Sequence, residues 1–267
     1  MTSSVPNVPM DAAGAPRDPY ARPLLIILGG MGPMAGVRLH QMVVHHETRA
    51  AIDQAHLEVI HVSCADRIPD RSRFLMGCAQ ANPGRVAAGV MEPYLALIES
   101  QGRDCRLLIP CATFHAAAIL EAFFSASRPG LRERFVSVIP PTVRTASRTA
   151  GDGRIGYLAT EGSVAAGVWR DEIQARQHVA VDAPAQLQAL VQRAIYDPAH
   201  GIKAVSGPSR ESVASIDRAL RFFREEGVAS VILGCTDLAL VQDELDCAGL
   251  TLIDPVRELA AEITRLI

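Results

Sequence analysis

Two short apolar runs in this chain each lead, within two residues, to a cysteine in a similar setting. Arg106-Leu107-Leu108-Ile109 runs into Pro110-Cys111-Ala112-Thr113, and Ser230-Val231-Ile232-Leu233 into Gly234-Cys235-Thr236-Asp237. Apolar runs of four bounded by Pro or Gly read as buried strands, and the stretch after each cysteine has helical character. The pattern around them is duplicated. A strand at Leu24–Leu28 opens one strand–helix alternation, and a strand at Arg154–Leu158 opens another. Leu28 and Leu158 lie 130 residues apart, and Cys111 and Cys235 lie 124 apart, so the two passes run in step. Strands alternating with helices form parallel sheets with right-handed crossovers. The expectation is an α/β chain of two pseudo-symmetric, flavodoxin-like parallel-sheet domains with the active site in the cleft between them. Residues 1–22 are expected to be a disordered or loosely packed tail. Residues 23–141 with 253–267 are assigned to a first domain carrying Cys111, and 142–252 to a second carrying Cys235.

A cysteine between a strand and a helix lies at the carboxyl edge of a sheet, where open α/β folds bind ligands. The helix dipole there can draw a thiol well below its free value of about 8.5. Two such thiols facing each other could take a proton from one side of a carbon and return one from the other, which is the chemistry of a racemase or epimerase without a cofactor. Cys64, Cys78, Cys105 and Cys247 share no such context and read as small core residues.

Composition narrows the classes. The chain has 267 residues, 49% hydrophobic but only 4% aromatic, as suits helix-covered parallel sheets, and its net charge of −3 offers nothing to nucleic acid or an anionic membrane. Six cysteines without a CxxC are too few for a disulfide scaffold, and no His pair has zinc-ligand spacing with a Cys pair, so no metal is expected. No apolar run approaches a membrane span, and the first 23 residues lack a signal-peptide core. A cytoplasmic protein with reduced thiols is expected.

The sequence further predicts strands over Leu57–Val62, Val136–Ile139, His178–Val181 and Thr251–Ile253. A helix is expected after Ala35 through about Ala51, and others near Phe74–Cys78 and over Asn82–Ser100, Ala116–Ser125, Val164–Gln174, Ala185–Tyr196 and Ser209–Glu226, with a closing helix from Val256. Gly30-Met31-Gly32-Pro33-Met34-Ala35 fits G-x-G-x-x-A after a strand. A dinucleotide site would need an acidic residue closing the next strand. That strand closes with His61-Val62-Ser63-Cys64, and Pro33 removes a loop N–H, so a nucleotide is not expected. His45-His46 and His61 read as helix-surface and strand-end residues. His115 lies one helical turn beyond Cys111 and could orient the thiolate or cap local polar groups. Arg71, in Ile68-Pro69-Asp70-Arg71, could clamp a carboxylate bidentately.

From Leu24 to Ile267 the chain resembles the aspartate/glutamate racemase family, and within it the aspartate racemase branch. Four ordered motifs carry the resemblance: Leu28-Gly29-Gly30-Met31-Gly32-Pro33, Ile68-Pro69-Asp70-Arg71, Pro110-Cys111-Ala112-Thr113-Phe114-His115 and Gly234-Cys235-Thr236-Asp237. The resemblance implies that Cys111 and Cys235 are the acid/base pair. It implies that Arg71 and Lys203 are cationic substrate ligands, and that Met31, Ala112, Thr113, Thr160 and Thr236 line the substrate, with His115 and Asp237 as orienting groups. It also implies no cofactor, a small carboxylate substrate such as an acidic amino acid, and a homodimer. The family has Asn where this chain has Ala112, a small residue where it has Phe114, and Glu where it has Asp237. The first two changes suggest a remodelled pocket. Two alternatives therefore stand beside an amino-acid racemase: a two-cysteine isomerase or epimerase of a carboxylate lacking the amine, and a binding homologue without turnover.

Overall fold

The computed structural model describes residues 22–46, 53 and 56–267. The expected tail, except Arg22, and the last residues of the first expected helix lie outside these.

Among the described residues, eight strands form two four-stranded sheets. The first contains β1 (Leu24–Gly29), β2 (Val59–Ser63), β3 (Cys105–Leu108) and β4 (Phe135–Val136), in the order β2-β1-β3-β4. The second contains β5 (Arg154–Tyr157), β6 (Val179–Val181), β7 (Ser230–Ile232) and β8 (Thr251–Ile253), in the order β6-β5-β7-β8. Every strand pair is parallel. The sheets therefore share one topology, with β5 to β8 standing for β1 to β4. Cys111 follows β3 and Cys235 follows its counterpart β7. In both sheets the chain order reverses beside the first strand, the switch point where such folds open a crevice.

The helices are α1 (Pro33–His46), α2 (Arg71–Leu75), α3 (Pro83–Ser100), α4 (Ala117–Ala126), α5 (Ile139–Thr149), α6 (Glu161–Ala165), α7 (Arg170–Ala175), α8 (Ala185–Tyr196), α9 (Ile202–Val205), α10 (Arg210–Glu225) and α11 (Pro255–Leu266). All six residues of β1 are buried because helices cover both faces of its sheet. Side chains alternate across a strand. Leu24, Ile26 and Leu28 thus join the core beneath α3 and α4, while Leu25 and Ile27 join a core shared with the second sheet. That shared core includes Val143 of α5, Ile155 and Ile232 of the second sheet, and Leu259 and Ile263 of α11. A third core packs Leu220 and Phe223 of α10 and Val191 of α8 beneath the second sheet. Asp254 ties the halves together: Oδ1 caps α11 through the Val256 N–H at 2.9 Å, and Oδ2 accepts from Arg38 of α1 at 2.8 Å.

Three local expectations are corrected. The strand over Val136–Ile139 stops at Val136, and Ile139-Pro140-Pro141 instead begins α5. Proline lacks only an N–H that the first helical turn leaves unpaired, so it is at home there. The helix over Val164–Gln174 is broken into α6 and α7 at Gly167, whose φ of +68° a helix cannot hold. Each cysteine leads into a short 3-10 turn, Ala112–His115 or Thr236–Leu240, rather than directly into an α-helix.

Candidate active site

Both cysteines occupy extended backbone immediately before their turns, with φ/ψ of −141°/101° at Cys111 and −92°/122° at Cys235. The carbonyl of each accepts from the N–H three residues on, Phe114 at 3.0 Å and Leu238 at 2.9 Å. The two loops are thus built alike. Gly234 is required by its neighbour, since a Cβ there would lie 2.5 Å from Trp169 Nε1. That fully buried indole donates to the Gly234 carbonyl at 3.0 Å and braces the turn carrying Cys235.

The two thiols line one small cavity between the sheets. Met31, Arg71, Ala112 and Thr113 line it from the first half, and Thr160, Lys203 and Thr236 from the second. The structure therefore gathers every expected lining residue. Both sulfur-bearing residues are nearly enclosed, at 5% exposure for Cys111 and 7% for Cys235. Arg71 and Lys203 also border a larger outer hollow, lined by Gly32, Met34, Asp70, Ile202, Ser206 and Asp237 among others, which leads to the surface.

Hydrogen bonds hold the two walls together. The Thr113 and Thr160 hydroxyls meet at 3.2 Å, Thr236 donates to the Pro110 carbonyl at 3.0 Å, and the Gly162 N–H donates to Ser72 Oγ at 2.9 Å. The Tyr196 hydroxyl donates to Asp70 Oδ2 at 2.9 Å. At about 1 kcal/mol net apiece, four such bonds hold the cleft closed by several kcal/mol. Gly162 permits the closest approach, because a Cβ there would stand 2.6 Å from Ser72 Cα.

The charges are unevenly placed. Lys203 Nζ lies 2.5 Å from Asp237 Oδ2, and the same oxygen is 3.9 Å from Cys235 Sγ. Burial opposes the Lys203 charge, but Asp237 and Cys235 outweigh it and the ammonium pKa is raised. Cys235 is pushed up to about 12, by burial first and by the charge of Asp237 second. The expected lowering of this thiol is therefore not found. A turn of five residues gives too little dipole to offset burial beside a carboxylate. On the opposite wall Arg71 is 7% exposed, donates to the Pro69 carbonyl at 3.2 Å, and has no partner for Nε among the described residues. Burial works against its charge, and Cys111, Tyr196 and Asp70 more than offset it, so its pKa is raised.

His115 reaches the backbone of Cys111 and not its sulfur. Its Nδ1 lies 3.0 Å from the Cys111 carbonyl and its Nε2 accepts from the Val138 N–H at 3.4 Å. Full burial pushes it down to about 4, leaving a neutral ring that donates through Nδ1. Phe114 does not reshape the pocket as expected. Its ring is fully buried and packs edge-on against Phe123 of α4, their centroids 5.6 Å apart, because the 3-10 turn aims it away from the cleft. His61 stands in β2, and its ring fits between Gly29 and Gly36.

Sequence reasoning missed three contributors: Tyr196, Asp70 and Ser72. Asp70 falls within a motif already noted and Tyr196 closes an expected helix, but nothing local says that α2 and the end of α8 meet across the cleft. Cys78 and Cys247, expected in the core, are exposed. Among the described residues, no group of three or more His, Cys, Asp or Glu is placed to hold a metal ion. Among them, too, no helix is long and apolar enough to cross a membrane.

Comparison with known proteins agrees with this geometry. The family model for Asp/Glu/hydantoin racemase matches residues 28–263. The glutamate racemase of Corynebacterium diphtheriae is 28% identical over 211 residues, covering 74% of this chain and 72% of that protein. Among solved structures, Picrophilus torridus aspartate racemase superposes with a TM-score of 0.70 at 21% identity, covering 92% of this chain and 94% of that one. Glutamate racemase from Francisella tularensis, in complex with D-glutamate, gives 0.58 at 16% identity, covering 92% and 80%.

Proposed function

The chain belongs to the Asp/Glu/hydantoin racemase family, and we propose that it is a cofactor-independent amino-acid racemase that uses Cys111 and Cys235 as opposed base and acid. One observation carries the reading: two cysteines from equivalent strand ends line a single small cavity that Arg71 and Lys203 also line.

The difficult step is removal of a proton from carbon beside a carboxylate. One cysteine, as thiolate, takes the α-proton, and the electron pair left behind spreads into the carboxylate as an enediolate. The other, as thiol, then delivers its proton to the opposite face and becomes the thiolate. The configuration at carbon is inverted, and the two sulfurs have exchanged roles. A thiolate is a weak base for this task, so electrostatics must supply much of the acceleration. Arg71, with an unpaired buried Nε, suits the developing negative charge, and Lys203 adds a second cation nearby. Closure of the cleft excludes water and strengthens both contributions. Fixing the carbon between the two sulfurs supplies a further share. Asp237 favours the protonated form of Cys235, so the empty site begins with the acid on the second wall.

The substrate class is a small acidic amino acid or a related carboxylate, handled without nucleic acid or membrane. The resemblance also implies a homodimer, which light scattering would test. Ala112 favours a second reading, isomerisation of a carboxylate without an amine. It lines the cavity at 2% exposure and brings no amide to meet an ammonium group. Incubation with each enantiomer of aspartate, glutamate and other amino acids in deuterated water separates the readings by mass. Deuterium at the α-carbon is expected for at least one amino acid. Absence of exchange across the set would transfer the assignment to the second reading.

A further inference from the structure

Two acids and two bases crowd the mouth of the cavity: Asp70, Arg71, Lys203 and Asp237. Lys203 is already answered by Asp237. Arg71 has no carboxylate partner among the described residues, and its buried Nε is unpaired. Yet Asp70 is its neighbour in the chain, and a guanidinium beside a free carboxylate would ordinarily pair with it. The Asp70 carboxylate is occupied elsewhere. Oδ1 accepts from the Arg73 N–H at 2.7 Å as the cap of α2, and Oδ2 accepts from the Tyr196 hydroxyl at 2.9 Å. Tyr196 comes from the end of α8, in the other half of the molecule, and its ring centroid lies 5.5 Å from Lys203 Nζ.

We propose that Tyr196 is a positioning residue that holds Asp70 off Arg71, keeping the guanidinium open to the carboxylate of an incoming ligand. The substrate role of that carboxylate rests on the racemase reading; the arrangement of charges does not. A phenol suits the task. Burial, and next the charge of Asp70, push Tyr196 far above its ordinary value, so it remains a donor at any working pH. Without the hydroxyl, half-buried Asp70 Oδ2 would lose its partner at the mouth of the cavity beside an unanswered guanidinium, and would turn to Arg71. The preference of the first half's cation for anionic ligands is therefore set by a residue of the second half. Closure of the cleft and readiness of the cation become one event.

Two alkylating reagents of similar size read this charge directly. Iodoacetate and iodoacetamide both transfer their methylene carbon to a thiolate sulfur with loss of iodide, but only the former carries a carboxylate. The ratio of their rates at Cys111, followed by peptide mass, reports the field of Arg71, and exposed Cys78 serves as the reference in the same sample. The wild type is expected to favour iodoacetate at Cys111 relative to Cys78. Tyr196→Phe should lower that ratio about three- to tenfold, the scale of one charge neutralised a few ångströms away. Adding Asp70→Asn should restore it, because the competing charge is gone while Asn still caps α2. An unchanged ratio in Tyr196→Phe would overturn the proposal. So would a loss that Asp70→Asn fails to restore, which marks a merely structural contact. A wild-type Cys111 that resists both reagents, or shows no preference for the anionic one, would also overturn it. The measurement needs no turnover, so failure to racemise any amino acid would remove the functional reading and leave this result standing.

Discussion

Lys203 Nζ and Asp237 Oδ2 stand 2.5 Å apart at the mouth of the cavity, and through that one oxygen the cation is linked to the thiol of Cys235. The pair has opposite effects on the sulfur. Lys203 would favour a thiolate, but Asp237, closer in effect, favours the thiol and together with burial raises the pKa.

Asp237→Asn is expected to reverse this balance. Removing the carboxylate leaves Lys203 unanswered beside Cys235, so the thiol should ionise at lower pH. Alkylation of Cys235 by iodoacetamide, followed against pH, should move its midpoint down from about 12. A midpoint that stays in place would mean burial alone holds the thiol protonated.

Cys111→Ala and Cys235→Ala should each lower racemisation by about 10²–10⁴-fold or more, the usual scale for loss of a positioned acid or base. Far-ultraviolet circular dichroism should be unchanged, since each side chain faces a cavity. A variant retaining full racemisation after losing either sulfur would refute the assigned pair.

His115 predicts acid sensitivity. Its ring is pushed from 6.5 down to about 4 in the folded chain. Between those values the unfolded chain binds the extra proton, so stability is complete above 6.5 and declines as pH falls toward 4. The loss amounts to about 3 kcal/mol. Denaturant unfolding at pH 7 and pH 4.5 should show this decline in the wild type and a smaller one in His115→Asn. Parallel declines in both proteins would place the acid sensitivity elsewhere.

Gly162→Ala tests closure. Its new Cβ would meet Ser72 Cα at 2.6 Å, a methyl group against backbone, so α6 and α2 must separate. The expected cost is about 1–3 kcal/mol of stability. Arg71 adjoins Ser72 in α2, so KM for the amino acid that exchanges should rise more than kcat falls. An unchanged melting temperature and KM would show that the helices part freely.

Much of this molecule was legible before folding because parallel α/β architecture is written in local patterns. Continuous apolar runs such as Leu24–Leu28 mark strands buried on both faces, and the stepwise repeat marks two copies of one topology. Those patterns located Cys111 and Cys235 at equivalent strand ends, while a short motif pointed to Arg71 and the family resemblance to Lys203. Local pattern was weakest where one residue overrides its neighbours. The proline pair turned the end of an apparent strand into α5, and Gly167 divided an apparent helix. The direction of Phe114, away from the cleft, depended on a turn geometry that residue types do not report.

Sequence by itself determined most of the elements, their order and the side chains available to the candidate site, since these follow from periodicity and side-chain chemistry along the chain. Only the tertiary structure decided which charges answer one another. Asp237 neutralises Lys203 from 34 residues away, and Tyr196 occupies Asp70 from 126. Electrostatic energy depends on distance through space and on the water excluded between groups. Both quantities come into being only when the two halves close on each other.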